Sequence, residues 1–393
     1  METAAPRTTL PSVPIWRNVL VMRIVIQAAL LAVVVGVLWY LSSNLQTNLK
    51  KTGLSTGYEF LDQPYGSDIP FSSFRPTQSI WDALKVGYGN TIRVASVGIL
   101  LSLVLGVIIG VARLSTNFLV RGAATVYVET VRNIPVYLLV FASFFVIIQE
   151  SLPPITQAIE WFGATVFSNR GIYVPWVEGH ANSGTFLIVL GLGLVLAIGV
   201  ALWRTRRFDA TGQPHHRVLW GTAAIVVIGV IGYIALSAPF GATTPERDGR
   251  VVVGGIAVNP SYAALLIALS VYTASHIAEI VRGSIQAVHH GQTEAASALN
   301  LTSLQRVRLV VLPQAFRIMI PPLANQFLSL TKNSSLAVAI GYYEITRVTQ
   351  TAANNAAPAP QAYSVLMALY LTFSLGISLI ANIINRRLRL DSR

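Results

Sequence analysis

Apolar positions in this chain fall in long runs, not in short alternations. Predominantly apolar stretches occupy residues 19–41, 91–112, 125–148, 185–203, 219–238, 261–281 and 363–384. About 20 residues of helix, each rising ~1.5 Å, cross a hydrocarbon layer ~30 Å thick, so each stretch is long enough to span a bilayer. A weaker run at 318–340 is interrupted by Pro321, Pro322 and Lys332. A span tolerates such residues where it packs on protein or lines a polar cavity. Eight spans are therefore predicted. A closed β-barrel would show apolar and polar residues alternating along each strand, and these runs do not. The expected fold class is all-α, a polytopic helical membrane protein.

Composition agrees, with 53% hydrophobic and 11% charged residues against roughly 25% charged in soluble domains. The net charge of +12 raises nucleic acid as a partner, but the basic residues flank the spans. Arg7, Arg17 and Arg23 precede or open the first; Arg113 and Arg121 follow the second; Arg204, Arg206, Arg207 and Arg217 separate the fourth and fifth; Arg282, Arg306, Arg308 and Arg317 follow the sixth; Arg386, Arg387, Arg389 and Arg393 end the chain. The opposite side holds fewer, including Lys50, Lys51 and Arg170. The positive-inside rule then puts both termini in the cytoplasm, which needs an even number of spans. The lipid bilayer, not nucleic acid, is the expected partner of this charge. There is no cysteine, so disulfides and thiolate metal sites are excluded. His215, His216, His289 and His290 lie in loops without a carboxylate cluster, and neither metal nor cofactor is expected. The first span is too long for a signal-peptide core and is expected to be retained as an anchor.

Residues 42–90 and 151–184 read as outside segments, the first rich in Gly, Ser, Pro and aromatics. A two-span excursion over about 151–260 has the look of an insertion, leaving a core of five spans. Gly106 and Gly110 form a Gly-xxx-Gly step, suited to close packing within the chain or at a subunit interface.

The most informative stretch is the cytoplasmic segment 289–313. Residues 292–299 are helix formers, and Asn300 suits the left-handed position that ends a helix. Thr302 and Gln305 form a capping-box pattern, with Leu304, Val307, Val310 and Val311 as an apolar stripe and Pro313 expected to limit the second helix. A helix–turn–helix lying along the membrane would present one face to the cytosol.

These residues resemble the permease subunits of binding-protein-dependent ABC importers, which carry Glu-Ala-Ala, three residues, Gly, nine residues, Ile, one residue, Leu-Pro in this loop. Here stand Glu294, Ala295 and Ala296, then Asn300 at the Gly position, Val310 at the Ile position, and Leu312 and Pro313. Asn for Gly is a mild departure, since Asn is the next most tolerant residue in that conformation. The likeness narrows to the polar amino-acid permeases through Tyr127, Glu129, Arg132 and Pro135; through Ala278, Glu279, Ile280, Arg282 and Gly283; through Gly291 and Gln292; and through Leu312 to Ala315, Pro321, Pro322 and residues 332–336. It covers about 87–385 except the insertion. The layout, with a long first region, resembles the larger Q-type subunit of general L-amino-acid permeases.

The resemblance implies a type I importer core of five helices and a coupling role for Gly291, Glu294, Ala295, Ala296, Asn300, Leu312 and Pro313. It implies a separate ABC ATPase subunit, a second permease subunit in a heterodimer, a periplasmic amino-acid-binding protein, and an amino-acid substrate crossing the bacterial inner membrane. The expected organisation is 1–86 as tail, first helix and periplasmic segment, 87–385 as permease domain, and 386–393 as a basic cytoplasmic tail. No lysine follows a glycine, so no P-loop is present and the chain is not itself expected to be an ATPase.

Charges inside spans are candidates for a transport route or for internal pairing. Glu129 with Arg132, and Glu279 with Arg282, are three apart and expected to pair. His276 either faces a cavity or satisfies a carbonyl. Lys332, Asn333, Ser334 and Ser335 interrupt a span, either to attract a substrate carboxylate and gate the route or to bond carbonyls freed by the break. An ion-driven secondary transporter is the rival reading; it would be expected to show inverted repeats and midplane carboxylates, whereas no repeat is visible and the candidate acids lie near span ends.

Overall fold

A computed structural model describes residues 19–51, 57–212, 216–355 and 357–388. Arg7, Arg17, His215, Arg389 and Arg393, with most of the basic tail, lie outside them.

In hydrocarbon every backbone N–H and C=O has to bond within its own segment, so the apolar runs become helices. The first, α1 (Val19–Lys51), buries none of its spanning length against the rest of the chain. Residues 57–79 then fold as an ordered cap, with a short helical turn at Glu59–Asp62, a bridge between Pro64 and Ser79, and Tyr65, Ile69 and Phe74 buried. The Tyr65 hydroxyl donates to the Val348 carbonyl at 3.3 Å, and burial pushes its phenol up to about 12.

The second helix, α2 (Ile80–Ala112), starts eleven residues before the expected span because the Ser79 hydroxyl accepts from the Asp82 N–H and caps it. Its 33 residues make a rod of ~50 Å, longer than a ~30 Å hydrocarbon layer.

The run expected as one span at 125–148 is broken. It comprises α3 (Phe118–Asn133) and α4 (Val136–Phe141), which continues as a π-helical stretch Ala142–Glu150. The two arms meet at 104°. Pro135 has no N–H to donate and pushes Ile134 into extended backbone, φ −88° and ψ 128°.

The insertion is helical only in its middle. Four strands, β1 (Ile159–Trp161), β2 (Thr165–Ser168), β3 (Gly171–Val174) and β4 (Trp176–Gly179), lead into α5 (Ser183–Thr211) and α6 (Arg217–Ala235). Four more follow, β5 (Phe240–Thr243), β6 (Glu246–Asp248), β7 (Val251–Val253) and β8 (Ile256–Val258). Pairs β4–β5 and β6–β7 are antiparallel, and β1–β2–β3–β8 form one antiparallel sheet with Ile172 opposite Val258 and Val174 opposite Ile256. These strands add to an otherwise all-α fold: the last strand of the excursion pairs with one near its start, returning the chain to where it left the core.

The core centres on α7 (Pro260–Gln286), opened by the Asn259 side chain and Pro260 at its first turn. Beyond it come α8 (His290–Ala298), α9 (Ser303–Arg306) and α10 (Leu312–Asn333), then a 3-10 stretch Ser334–Ile340 that stops at Gly341, φ +72°. The short α11 (Ile345–Asn354) and long α12 (Ala359–Leu388) complete the fold. Among the described residues, seven helices are long and apolar enough to cross a membrane, or eight if the bent pair is one span.

The closest approach is α2 on α7. A Cβ on Gly106 would lie 2.5 Å from Ile277 Cγ2, and one on Gly110 would lie 2.7 Å from the Ala278 carbonyl. The Gly-xxx-Gly step thus serves packing within the chain. Gly106→Leu is expected to lower stability by about 1–3 kcal/mol through overpacking, read as an earlier unfolding midpoint in detergent. Gly191→Leu on α5, where nothing lies within 4 Å, should leave that midpoint unchanged; equal effects would show that the α2–α7 contact is not the constraint.

Candidate functional site

The segment between α7 and α10 is built from local bonds. The His289 ring accepts from the Gly291 N–H at 3.1 Å and caps α8. His290 Nδ1 lies 3.0 Å from Glu294 Oε1, one turn along an exposed face. Ala296 is buried, and Gln314 Nε2 donates to Gln292 Oε1 at 3.1 Å, so these positions hold α8 to the start of α10. Ala295 and Glu294 face outward.

The helix ends as the Asn300 reading requires. Asn300 has φ +57°, its N–H donates to the Ser297 carbonyl, and the Leu301 N–H reaches back to the Ala296 carbonyl at 3.1 Å. Those two bonds are a Schellman closure, and they satisfy carbonyls the helix end leaves free. Two residues on, Thr302 and Gln305 form the capping box that opens α9. Arg306 Nη1 donates to Ser297 Oγ at 2.8 Å and ties the limbs together.

Pro313 does not limit the second helix. The chain from Ser303 runs on through a π-helical stretch, Val307–Val311, into α10, with the Leu312 N–H bonded to the Val307 carbonyl five residues back. That wider turn accommodates a residue with neither an N–H nor room for a normal α-turn behind it. The loop is thus continuous with α10. Glu294 is exposed on it, and Leu299 and Leu304 are 76% and 77% exposed. The loop presents a carboxylate and uncovered apolar side chains at the surface.

The polar groups within the spans separate into three cases. Glu279 accepts from Arg282 on its own helix and also from Arg113 at the end of α2, while Arg282 Nη1 donates to Gln286 Oε1 at 2.7 Å. Arg113 was not anticipated, because nothing in sequence links positions 166 residues apart.

Glu129 and Arg132 do not pair. Both are exposed beside the Pro135 break, and the Glu129 carbonyl instead accepts from Asn133 Nδ2 at 2.7 Å. The helix ends one residue after Arg132, and Arg132 lies within electrostatic range of His276 on α7.

His276 packs against Tyr272 with ring centroids 4.8 Å apart and the planes tilted by 59°, and its Nε2 is buried without a hydrogen-bond partner among the described residues. Lys332 is exposed, Ser334 Oγ donates to the Thr331 carbonyl, Ser335 Oγ donates to the Lys332 carbonyl, and Asn333 ends α10.

Sequence reasoning also missed Glu344, which is fully buried between α2, α11 and α12. Its carboxylate accepts from the Arg347 N–H at 2.9 Å, the Tyr370 hydroxyl at 2.9 Å and the Thr346 hydroxyl at 3.1 Å, and it caps α11. A lone carboxylate just before an amphipathic ten-residue run was the available signal.

Residues 190–390 match the family described as "Binding-protein-dependent transport system inner membrane component". The general L-amino acid transport system permease protein AapQ of Rhizobium johnstonii is 37% identical over 373 residues, covering 93% of this chain and 92% of its own. The putative amino-acid ABC transporter permease protein YhdX of Escherichia coli is 38% identical over 365 residues, 92% of each chain. The glutamate/glutamine/aspartate/asparagine transport system permease protein BztB of Rhodobacter capsulatus is 34% identical over 402 residues, covering 93% of this chain and 92% of its own. Long helices of spanning length, a capped loop continuous with α10, and relatives aligned from end to end agree: the chain belongs to the amino-acid ABC transporter permeases, as a multi-pass membrane subunit.

Proposed function

We propose that this subunit carries amino acids inward across the inner membrane, receiving them from an extracytoplasmic binding protein, and that a separate ATPase drives it by docking on the α8–α9 loop. A second, different permease subunit would complete the membrane pathway, with both termini in the cytoplasm. The observation that carries this reading is the loop's construction. Its outer face shows Glu294, Leu299 and Leu304, while its inner face is fastened through Ala296 and the Gln292–Gln314 bond to the helix that runs on to Ser334. A push on such a loop is transmitted to α10 and not absorbed by a flexible joint. ATP-driven closure of the docked subunits would then bias the membrane helices between two arrangements, each ligand favouring the one it binds more tightly. Glu294 and the uncovered leucines offer the ATPase a charge contact and an apolar contact; Gly291 and Ala295 keep the outer helix surface low enough for close approach, Ala296 packs inward, and Leu312 and Pro313 mark where the loop joins α10.

Lys332, Asn333, Ser334 and Ser335 lie at the far end of α10, and His276 sits midway along α7. In this reading they border the route, the serines holding the broken helix end and Lys332 remaining available to a passing carboxylate. Glu279 with Arg282 fixes the end of α7 next to the loop.

Reconstituted in proteoliposomes with its copurified partners, the native chain is expected to show ATP-dependent amino-acid uptake. Glu294→Lys should reduce both ATPase copurification and uptake by about tenfold or more, equivalent to ~1.4 kcal/mol of docking free energy. Uptake that persists without any ATPase would leave an ion-driven transporter in its place. Asn300→Gly should retain coupling, whereas Asn300→Val, placing a β-branched residue at φ +57°, should cost about 1–2 kcal/mol locally. Hydrogen exchange at the amides of Asn300 and Leu301 reports that difference; equal protection in the two variants would show that the left-handed turn does not hold the loop.

A further inference from the structure

Two cavities meet at Arg93, at the end of the core opposite the α8–α9 loop. The larger, about 500 Å³, lies between α2, the start of α7 and the β3–β8 edge of the insertion; Arg93, Asn90, Tyr262, Tyr342 and Trp176 are among its lining residues. The second, about 450 Å³, shares Arg93, Asn90 and Phe71 with the first and adds Lys85. Both volumes fall in the range of small-molecule sites, roughly 300–1,000 Å³.

The charge in this space is one-sided. Among the described residues no Asp or Glu lines either cavity. Lys85 is paired with Asp82 at 2.9 Å, whereas Arg93 forms no ion pair among the described residues and has only a long 3.5 Å contact to Asn90 Oδ1. A guanidinium fork fits a carboxylate through two parallel hydrogen bonds. Tyr262 and Trp176 bring aromatic groups to the same space, and aromatic faces attract an ammonium group.

A second observation marks the same place. Phe71, common to both cavities, has φ +60°, a conformation that bulky residues rarely adopt. Such backbone outliers persist where the surroundings over-determine them, and they cluster at ligand clamps.

We infer that the joined cavities form a docking site for acidic L-amino acids, with a carboxylate on Arg93 and the ammonium group against the aromatic wall. The inference rests on the importer reading above in so far as this ligand is the transported cargo. A dicarboxylic amino acid carries one net negative charge, which the unpaired guanidinium balances; a basic amino acid brings a net positive charge to a site with no acid to meet it. The insertion acquires a role here, because β3 and β8 supply one wall, through Val174 and Ile256.

The test is a fluorescence titration of the intact chain, purified in detergent with the subunits that accompany it. L-glutamate should give a saturable change that Trp176→Phe abolishes, and Arg93→Gln should raise the apparent Kd by at least about tenfold. Val97→Phe, which fills the larger cavity without touching the charge, should weaken L-glutamate binding to a similar extent, so the outcome does not hang on one variant. L-lysine over the same concentrations should give less than about a tenth of the response. No saturable change in the native chain, an unaltered Kd in both variants, or an equal response to L-lysine would overturn the assignment. The titration needs no ATP, so a failure of ATPase copurification bears on the importer reading alone.

Discussion

The close approach of α2 to α7 is the constraint on which the rest of the structure depends. Inside a bilayer the lipid tails are as apolar as the side chains, so helices gain little from mutual burial and associate through van der Waals contact where small residues let backbones meet. Gly106 and Gly110 provide that approach, leaving no room for a Cβ against Ile277 and the Ala278 carbonyl. The contact places Arg113, at the end of α2, beside Glu279 on α7, so one carboxylate joins two helices. At the opposite end of α2, Gly87 lets Val348 and the backbone of Ile345 in, which seats α11 over the buried Glu344. Glycines along one helix thus set where a neighbour lies at each end of the core.

The second constraint is that a helix broken inside a membrane has to satisfy its own freed groups. At the Pro135 break, Asn133 Nδ2 bonds the Glu129 carbonyl; after the π-helical stretch, Ser151 Oγ bonds the Val146 carbonyl; where α10 tightens into a 3-10 turn, Ser334 and Ser335 bond carbonyls three residues back. Polar side chains at these places are occupied by the backbone, which is how a non-helical join survives at low dielectric. Of the Lys-Asn-Ser-Ser string, this leaves Lys332 as the exposed charge. The same economy explains Pro313: a π-helical turn removes the conflict between a proline and its preceding turn, and the loop stays rigidly joined to α10.

Features fixed by neighbouring residues were legible in the sequence. Span positions follow from apolar length, and the capping box at Thr302 and the left-handed Asn300 follow from side chains that bond their own backbone. Features fixed by distant residues were not. Pro135 announces a break, yet the 104° angle depends on what α4 packs against. Glu279 and Arg282 pair where Arg113 arrives from α2 to share the carboxylate, whereas Glu129 and Arg132, at the same spacing, are both exposed and do not pair. The strands of the insertion are three or four residues long, too short for an alternating pattern to register against noise, and they are held by cross-strand pairing instead of propensity. Nothing near Arg93 in the sequence marks it; only the folded chain puts it in one cavity with aromatics contributed by α7 and the insertion.

The two ends of α7 connect these sites. Tyr262, one turn into the helix, lines the larger cavity, and Glu279 and Arg282 lie in its last two turns before the α8–α9 loop. Roughly 17 to 20 residues separate them, about 25–30 Å along a helix rising ~1.5 Å per residue, close to the thickness of a hydrocarbon layer. The helix between is mostly buried and unbroken, with no proline after its first residue, so it lacks the commonest cause of a kink. A displacement imposed at the loop reaches the Tyr262 end as movement of a rod, and it does so against α2, which carries Arg93 and is locked to α7 by glycine contacts. Both helices that form the cavity therefore belong to one packed unit, and Ile172 and Val258 of the β3–β8 wall pack on the same core. The cavity at one end of the core and the Glu279 contacts at the other are thus built on the same pair of helices, α2 and α7.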